Sequence, residues 1–118
     1  MDCIFCKIIN KEAPATMLHE DDICMVIATI EPVAKGHVLV VPKIHSTNVL
    51  DIDDTVLAHI AGVAKKMSVQ LVKDNNADGV NLLHAAGKAA QQSVFHFHMH
   101  VVPRYENDGL DLWFRNNL

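Results

Sequence analysis

The stretch Ser93-Val94-Phe95-His96-Phe97-His98-Met99-His100-Val101-Val102-Pro103-Arg104 constrains the fold of this chain more than any other. Histidines at 96, 98 and 100 alternate with bulky apolar residues, and a period of two predicts a β-strand with imidazoles on one face and apolar groups on the other. Side chains two apart on a strand stand about 6 to 7 Å from one another, so the row would span roughly 13 Å. That length is awkward for a single metal ion and suits a row of phosphate oxygens. Imidazole also titrates where it can attack, donate or accept a proton near neutral pH. The plain alternative is a set of surface histidines on a half-exposed strand.

The rest of the pattern supplies partners for that strand. Apolar Ile4, Phe5, Ile8 and Ile9 predict a short helical turn over residues 4–10, with Cys3 and Cys6 on one side of it and Pro14 beyond its end. Residues 16–19 and 23–30 read as a hairpin joined by Glu20-Asp21-Asp22, with Ile23, Met25 and Ile27 on one face. Residues 37–41 form a strong strand closed by Pro42, with His37, Leu39 and Val41 sharing a face. Asp53 is a good N-cap for a helix running to about Val72, on which Val56, Leu57, Ile60, Val63, Ala64, Met67 and Leu71 make one apolar stripe. A turn at residues 75–79, a strand at 80–83 and a small-residue loop at 85–92 lead into the histidine row. The expected fold is α+β, an antiparallel sheet with one long helix and a short N-terminal helix. Residues 1–118 read as a single domain in which 105–118, with Trp113-Phe114, form a C-terminal tail.

Half of the 118 residues are hydrophobic, enough for one core but near the size where self-association helps. A net charge of -4 and no basic run argue against a nucleic-acid polymer or an anionic membrane as partner, while leaving room for a small anionic ligand. No run reaches transmembrane length, and the charged first dozen residues do not read as a secretory signal. Three cysteines, two of them close together near the start, fit a reducing compartment, and the expected location is cytoplasmic.

A lone C-x-x-C serves redox chemistry, zinc or nothing. Structural zinc takes four sulfur and nitrogen ligands, so Cys3 and Cys6 need two more. His45, just past a strand end, and His96, at the start of the histidine strand, are the favoured pair. A core-packed or simply reduced cysteine pair is the competing reading. His98 and His100 are then left for a second role, because neutral imidazole is a competent nucleophile toward phosphorus and a neighbouring histidine can assist the leaving group. The loop at 87–93 would add amides and a hydroxyl.

These residues resemble the histidine triad (HIT) family, whose motif is His-apolar-His-apolar-His followed by two apolar residues, here His96 to Val102. The likeness extends to residues 3–9, to 36–43 with His45, and to 92–95. It implies a homodimer that binds a purine nucleoside monophosphate unit and breaks a bond at its α-phosphorus. His98 would be the nucleophile, His100 would contact the phosphate and leaving group, and His37 would support them. The resemblance places Gln92 and Ser93 at the phosphate, Thr29 at the ribose, and Ile4, Phe5, Ile8, Ile27 and Leu39 around the base. It also implies a structural zinc on Cys3, Cys6, His45 and His96. The chain departs from the family pattern at Thr29, where an aspartate is usual, at Ala85-Ala86-Gly87 in place of Asn-Asn-Gly, and at Gln91 in place of glycine. Those departures motivate a second reading, a nucleotide-binding regulatory protein with little catalysis. A third is a catalytic zinc using His98 and His100.

Overall fold

In the computed structural model, which describes residues 3–114, the elements run α1 (Ile4–Ile9), β1 (Met17–Glu20), β2 (Cys24–Ala28), β3 (Val38–Pro42), α2 (Asp54–Asp74), β4 (Gly79–Leu83) and β5 (Met99–Arg104). A single turn of 3₁₀ helix (Lys88–Ala90) interrupts the loop between β4 and β5. The strands form one five-stranded antiparallel sheet in the order β1-β2-β3-β5-β4. The α+β architecture is as expected.

Alternation along the strands splits the apolar side chains between two faces. Val26, Val38, Val40 and Val101 pack with Ile60, Val63, Ala64, Met67 and Leu71 of α2. Met25, Ile27, Leu39 and Val41 pack on the other face with Cys3, Phe5 and Ile8 from α1. The register agrees: Met25 lies opposite Val41 and Ile27 opposite Leu39. Ile23 falls outside β2 and takes no place in that row.

Both helices start where side chains satisfy free amides. Asp53 accepts from the amides of Thr55 and Val56 at 2.9 and 3.2 Å, and Cys3 Sγ accepts from the Cys6 amide at 3.3 Å. Before β3, Gly36 adopts φ +87°, and a Cβ there would sit 2.9 Å from Asn75 Nδ2 and 3.2 Å from Pro103 Cγ. Only glycine lets the chain pass so close to the end of α2, and that passage delivers His37 to the sheet.

The expectation of an unbroken histidine strand needs correction. β5 begins only at Met99, so His96 and His98 lie ahead of the ladder and His100 alone lies within it, opposite Leu39 of β3 and Leu83 of β4. Carried two residues further, the β3–β5 register would set Phe97 against Pro42, which has no amide hydrogen to donate. The Phe97 amide turns instead to the Ser46 carbonyl at 2.7 Å. The period of two survives the break. Phe97 is fully buried in the α2-side core, while the rings of His96 and His98 both contact Phe5 of α1 on the other side.

Candidate functional site: a tautomer-locked histidine row beside a Cys2His2 cluster

His98 sits half-buried just before β5, its Nδ1 2.8 Å from the carbonyl oxygen of His96. A carbonyl only accepts, so Nδ1 carries the proton and Nε2 keeps its lone pair. Burial lowers the pKa of His98, which favours this neutral form.

A second relay fixes His100. The Val33 amide donates to His37 Nδ1 at 3.2 Å, which leaves the His37 proton on Nε2, 2.9 Å from His100 Nδ1. His100 thus accepts at Nδ1 and carries its own proton on Nε2. Burial lowers both pKa values, and for His100 the neighbouring imidazoles of His98, His37 and His84 add to the effect and bring it to about 4. The rings of His98 and His100 lie 5.1 Å apart. The pair therefore combines a free nitrogen lone pair with an N–H donor, the two functions an in-line displacement at phosphorus needs.

His84, which the sequence reading passed over, belongs to this arrangement. Its Nδ1 donates to the His98 carbonyl at 3.1 Å, its Nε2 accepts from the Val49 amide at 3.0 Å, and its ring stacks on Phe97 at 4.4 Å. It ties the chain at His98 to the segment ahead of α2. An isolated histidine at the end of a strand carries no periodic signal; only a search for further imidazoles near the row could have flagged it.

Beside the row, Cys3, Cys6, His45 and His96 bring four potential ligand atoms within 4.8 Å of one another. His96 Nε2 donates to the Pro42 carbonyl at 2.9 Å, so its Nδ1 lone pair faces Cys3 Sγ at 3.3 Å and Cys6 Sγ at 3.6 Å. His45 Nδ1 lies 3.4 Å from Cys6 Sγ. A zinc ion at ordinary bond lengths in a tetrahedron separates sulfur from nitrogen by about 3.5 Å. The donor set and its spacing fit that ion. Burial, reinforced by Cys3 next to it, raises the pKa of the Cys6 thiol.

The other expected contacts divide. Phe5, Ile8, Ile27 and Leu39 lie together in one buried cluster, whereas Ile4 is 47% exposed. Thr29 and His37 border the same groove of about 590 Å³, and Thr29 Oγ1 accepts from the Glu31 amide at 3.3 Å. Ser93 is exposed. Gln92 is buried and spends its side chain on the loop: Oε1 accepts from Asn48 Nδ2 and the Gly87 amide at 3.1 and 2.8 Å, and Nε2 donates to the Thr47 and Val94 carbonyls at 2.7 and 3.0 Å. That set uses the amide group's ordinary bonding capacity and makes Gln92 a fastener of the loop in this structure.

An antiparallel α+β sheet that carries neutral imidazoles with opposite tautomers, next to a Cys2His2 cluster, defines a histidine-triad protein. Residues 10–107 match the HIT domain, and the chain belongs to the HIT family. An uncharacterized HIT-like protein of Borreliella burgdorferi is 46% identical over 110 residues, 92% of this chain and 79% of that protein. Adenylylsulfatase HINT3 of Arabidopsis thaliana is 40% identical over 109 residues, 92% of this chain but 55% of the plant protein. Among solved structures, a Zn-bound histidine triad family protein from Mycobacterium smegmatis superposes with a TM-score of 0.90 at 37% identity, covering 99% of this chain and 85% of that one. Among the described residues, no helix is long and apolar enough to cross a membrane.

Proposed function

We propose that this chain is a nucleotide hydrolase or transferase acting at the α-phosphorus of purine nucleotide derivatives, such as phosphoramidates, acyl-adenylates or dinucleoside polyphosphates. The observation that carries the reading is the pair of relays ending at His98 and His100. His98 Nε2 attacks phosphorus; a nitrogen–phosphorus bond forms as the bond to the leaving group breaks. His100 Nε2–H donates to the phosphate or departing atom, and His37 holds its tautomer. Water then attacks phosphorus, the bond to His98 breaks and the nucleoside monophosphate leaves. Thr29 would meet the ribose, Ser93 and the loop around Gln92 the phosphate, and Phe5, Ile8, Ile27 and Leu39, with Ile4 at the rim, the base. The name of the Arabidopsis relative, an adenylylsulfatase, is consistent with an adenylyl group as the unit transferred.

Cys3, Cys6, His45 and His96 would hold a structural zinc, which supplies cross-linking rather than redox chemistry. The active species would be a homodimer in the cytoplasm. Mixing enzyme with adenosine 5′-phosphoramidate and following AMP release tests the reaction. Turnover should vanish in His98→Ala, together with the nucleotidyl-protein adduct that single-turnover mass spectrometry should detect in the wild type. Normal turnover in that variant would remove the assignment.

The closed set of bonds around Gln92 and the loss of side-chain amides at Ala85-Ala86 favour a second reading, a nucleotide-binding protein with little catalysis. Calorimetric AMP binding without turnover of any of the three substrate classes would select it.

A further inference from the structure

A second set of ligand-bearing side chains meets away from the histidine row, at the turn between β1 and β2. Asp21 leads that turn, and its Oδ1 accepts from the amides of Ile23 and Cys24, both at 2.8 Å. The carboxylate is thereby fixed with Oδ2 turned toward three other side chains. His19 Nε2 lies 2.9 Å from Oδ2, His59 Nε2 of α2 lies 2.8 Å from it, and Cys24 Sγ lies 3.7 Å from it. The ligand atoms of His19, Asp21 and Cys24 all fall within 4.8 Å of one another. None of these residues takes part in the site described above.

We propose that His19, Asp21 and Cys24 bind a second divalent metal ion of the zinc type, with His59 holding the ligating carboxylate in place. One nitrogen, one oxygen and one sulfur suit a borderline ion, whereas magnesium and calcium call for oxygen ligands throughout. One carboxylate and one thiolate neutralise a doubly charged ion, so no net charge is left against the α2-side core in which Cys24 is fully buried. As the metal bonds form, the Cys24 S–H bond breaks and its proton passes to water, while the proton that His19 Nε2 shares with Oδ2 leaves through water and the ring keeps one on Nδ1, freeing the Nε2 lone pair. The two amides on Oδ1 and His59 on Oδ2 are the kind of outer partners that orient a ligating carboxylate. The His19 side chain is 40% exposed, so the fourth position opens to water, unlike the closed quartet at Cys3.

The test measures zinc bound per full-length chain after equilibrium dialysis in a zinc-buffered solution. Wild type should carry one ion more than His19→Ala, a change at an exposed side chain whose folding circular dichroism verifies. Equal zinc content in the two proteins overturns the proposal. If the Cys3 cluster stays empty, wild type holds one ion and His19→Ala none, which sinks the quartet and keeps this site. Cobalt gives a second readout: the sulfur-to-cobalt charge-transfer absorption should fall in Cys24→Ala, and an unchanged band would also overturn the assignment.

Discussion

At the scale of single residues, the site works by hydrogen-bond bookkeeping that reaches beyond the triad. His84 grips the His98 backbone, so in the proposed reaction it would act as a positioning residue. His84→Leu should slow formation of the nucleotidyl intermediate by about three- to tenfold, the worth of one such bond, with KM little changed. His84→Gln, which keeps both a donor and an acceptor, should restore part of the rate; stopped-flow measurement of the adduct checks both. For His100 the folded pKa of about 4 lies below the ordinary 6.5, so the unfolded chain binds a proton that the folded one refuses. Stability is then complete well above pH 6.5 and falls as pH drops toward 4, by at most about 3 kcal/mol from this one group, less what solvent screens at a partly exposed ring. Urea unfolding at pH 7 and pH 5 should show a smaller loss in His100→Asn than in wild type. Gln91 is a third case. It holds φ +71° in the left-handed region, where a Cβ is strained. Gln91→Gly should stabilise the protein by about 0.5 to 1 kcal/mol in thermal unfolding, the relief of strain exceeding the added backbone entropy.

Elements matter because the run from His96 to His98 is held without a sheet ladder. Phe97 is its anchor, fully buried against α2 and stacked on His84. Phe97→Ala should cost about 3 to 5 kcal/mol in urea unfolding, from lost burial and the cavity left behind. The short helix α1 is the other dependent element. Six residues cannot hold a helix alone, and its cysteines tie it to His45 and His96. A chelator should lower the melting temperature and raise amide exchange in α1, while turnover measured far below that temperature persists. Immediate loss of turnover would point instead to zinc chemistry at His98 and His100.

The whole molecule leaves apolar groups uncovered. Among the described residues, Ile30 is 95% exposed, Leu50 84%, Phe114 57% and Trp113 53%. A second copy would bury those that share a face, which is what the proposed homodimer requires. Sedimentation should show a dimer, and dilution should lower both melting temperature and activity.

Much of this was legible in the chain itself, because periodicity and end signals are local. The stripe on α2, its Asp53 cap, the hairpin and the two-sided β-strands follow from residue order and chain geometry. So does the choice of which histidines share a side; for the cysteines residue order left a core-packed or reduced pair open beside the pairing with His45 and His96, and the folded chain brings those four together. The tertiary structure alone decided where each polar group's bonds go: that the ladder stops at Met99, that Gln92 turns inward, that His84 grips the backbone of His98, and that Asp21 gathers His19, Cys24 and His59. Most of those outcomes join residues far apart in sequence, as His59 does with Asp21, and even the near neighbours His19, Asp21 and Cys24 meet only through the directions of their side chains: a hydrogen bond depends on the distance and direction between atoms, which residue order does not encode until the chain has closed on itself.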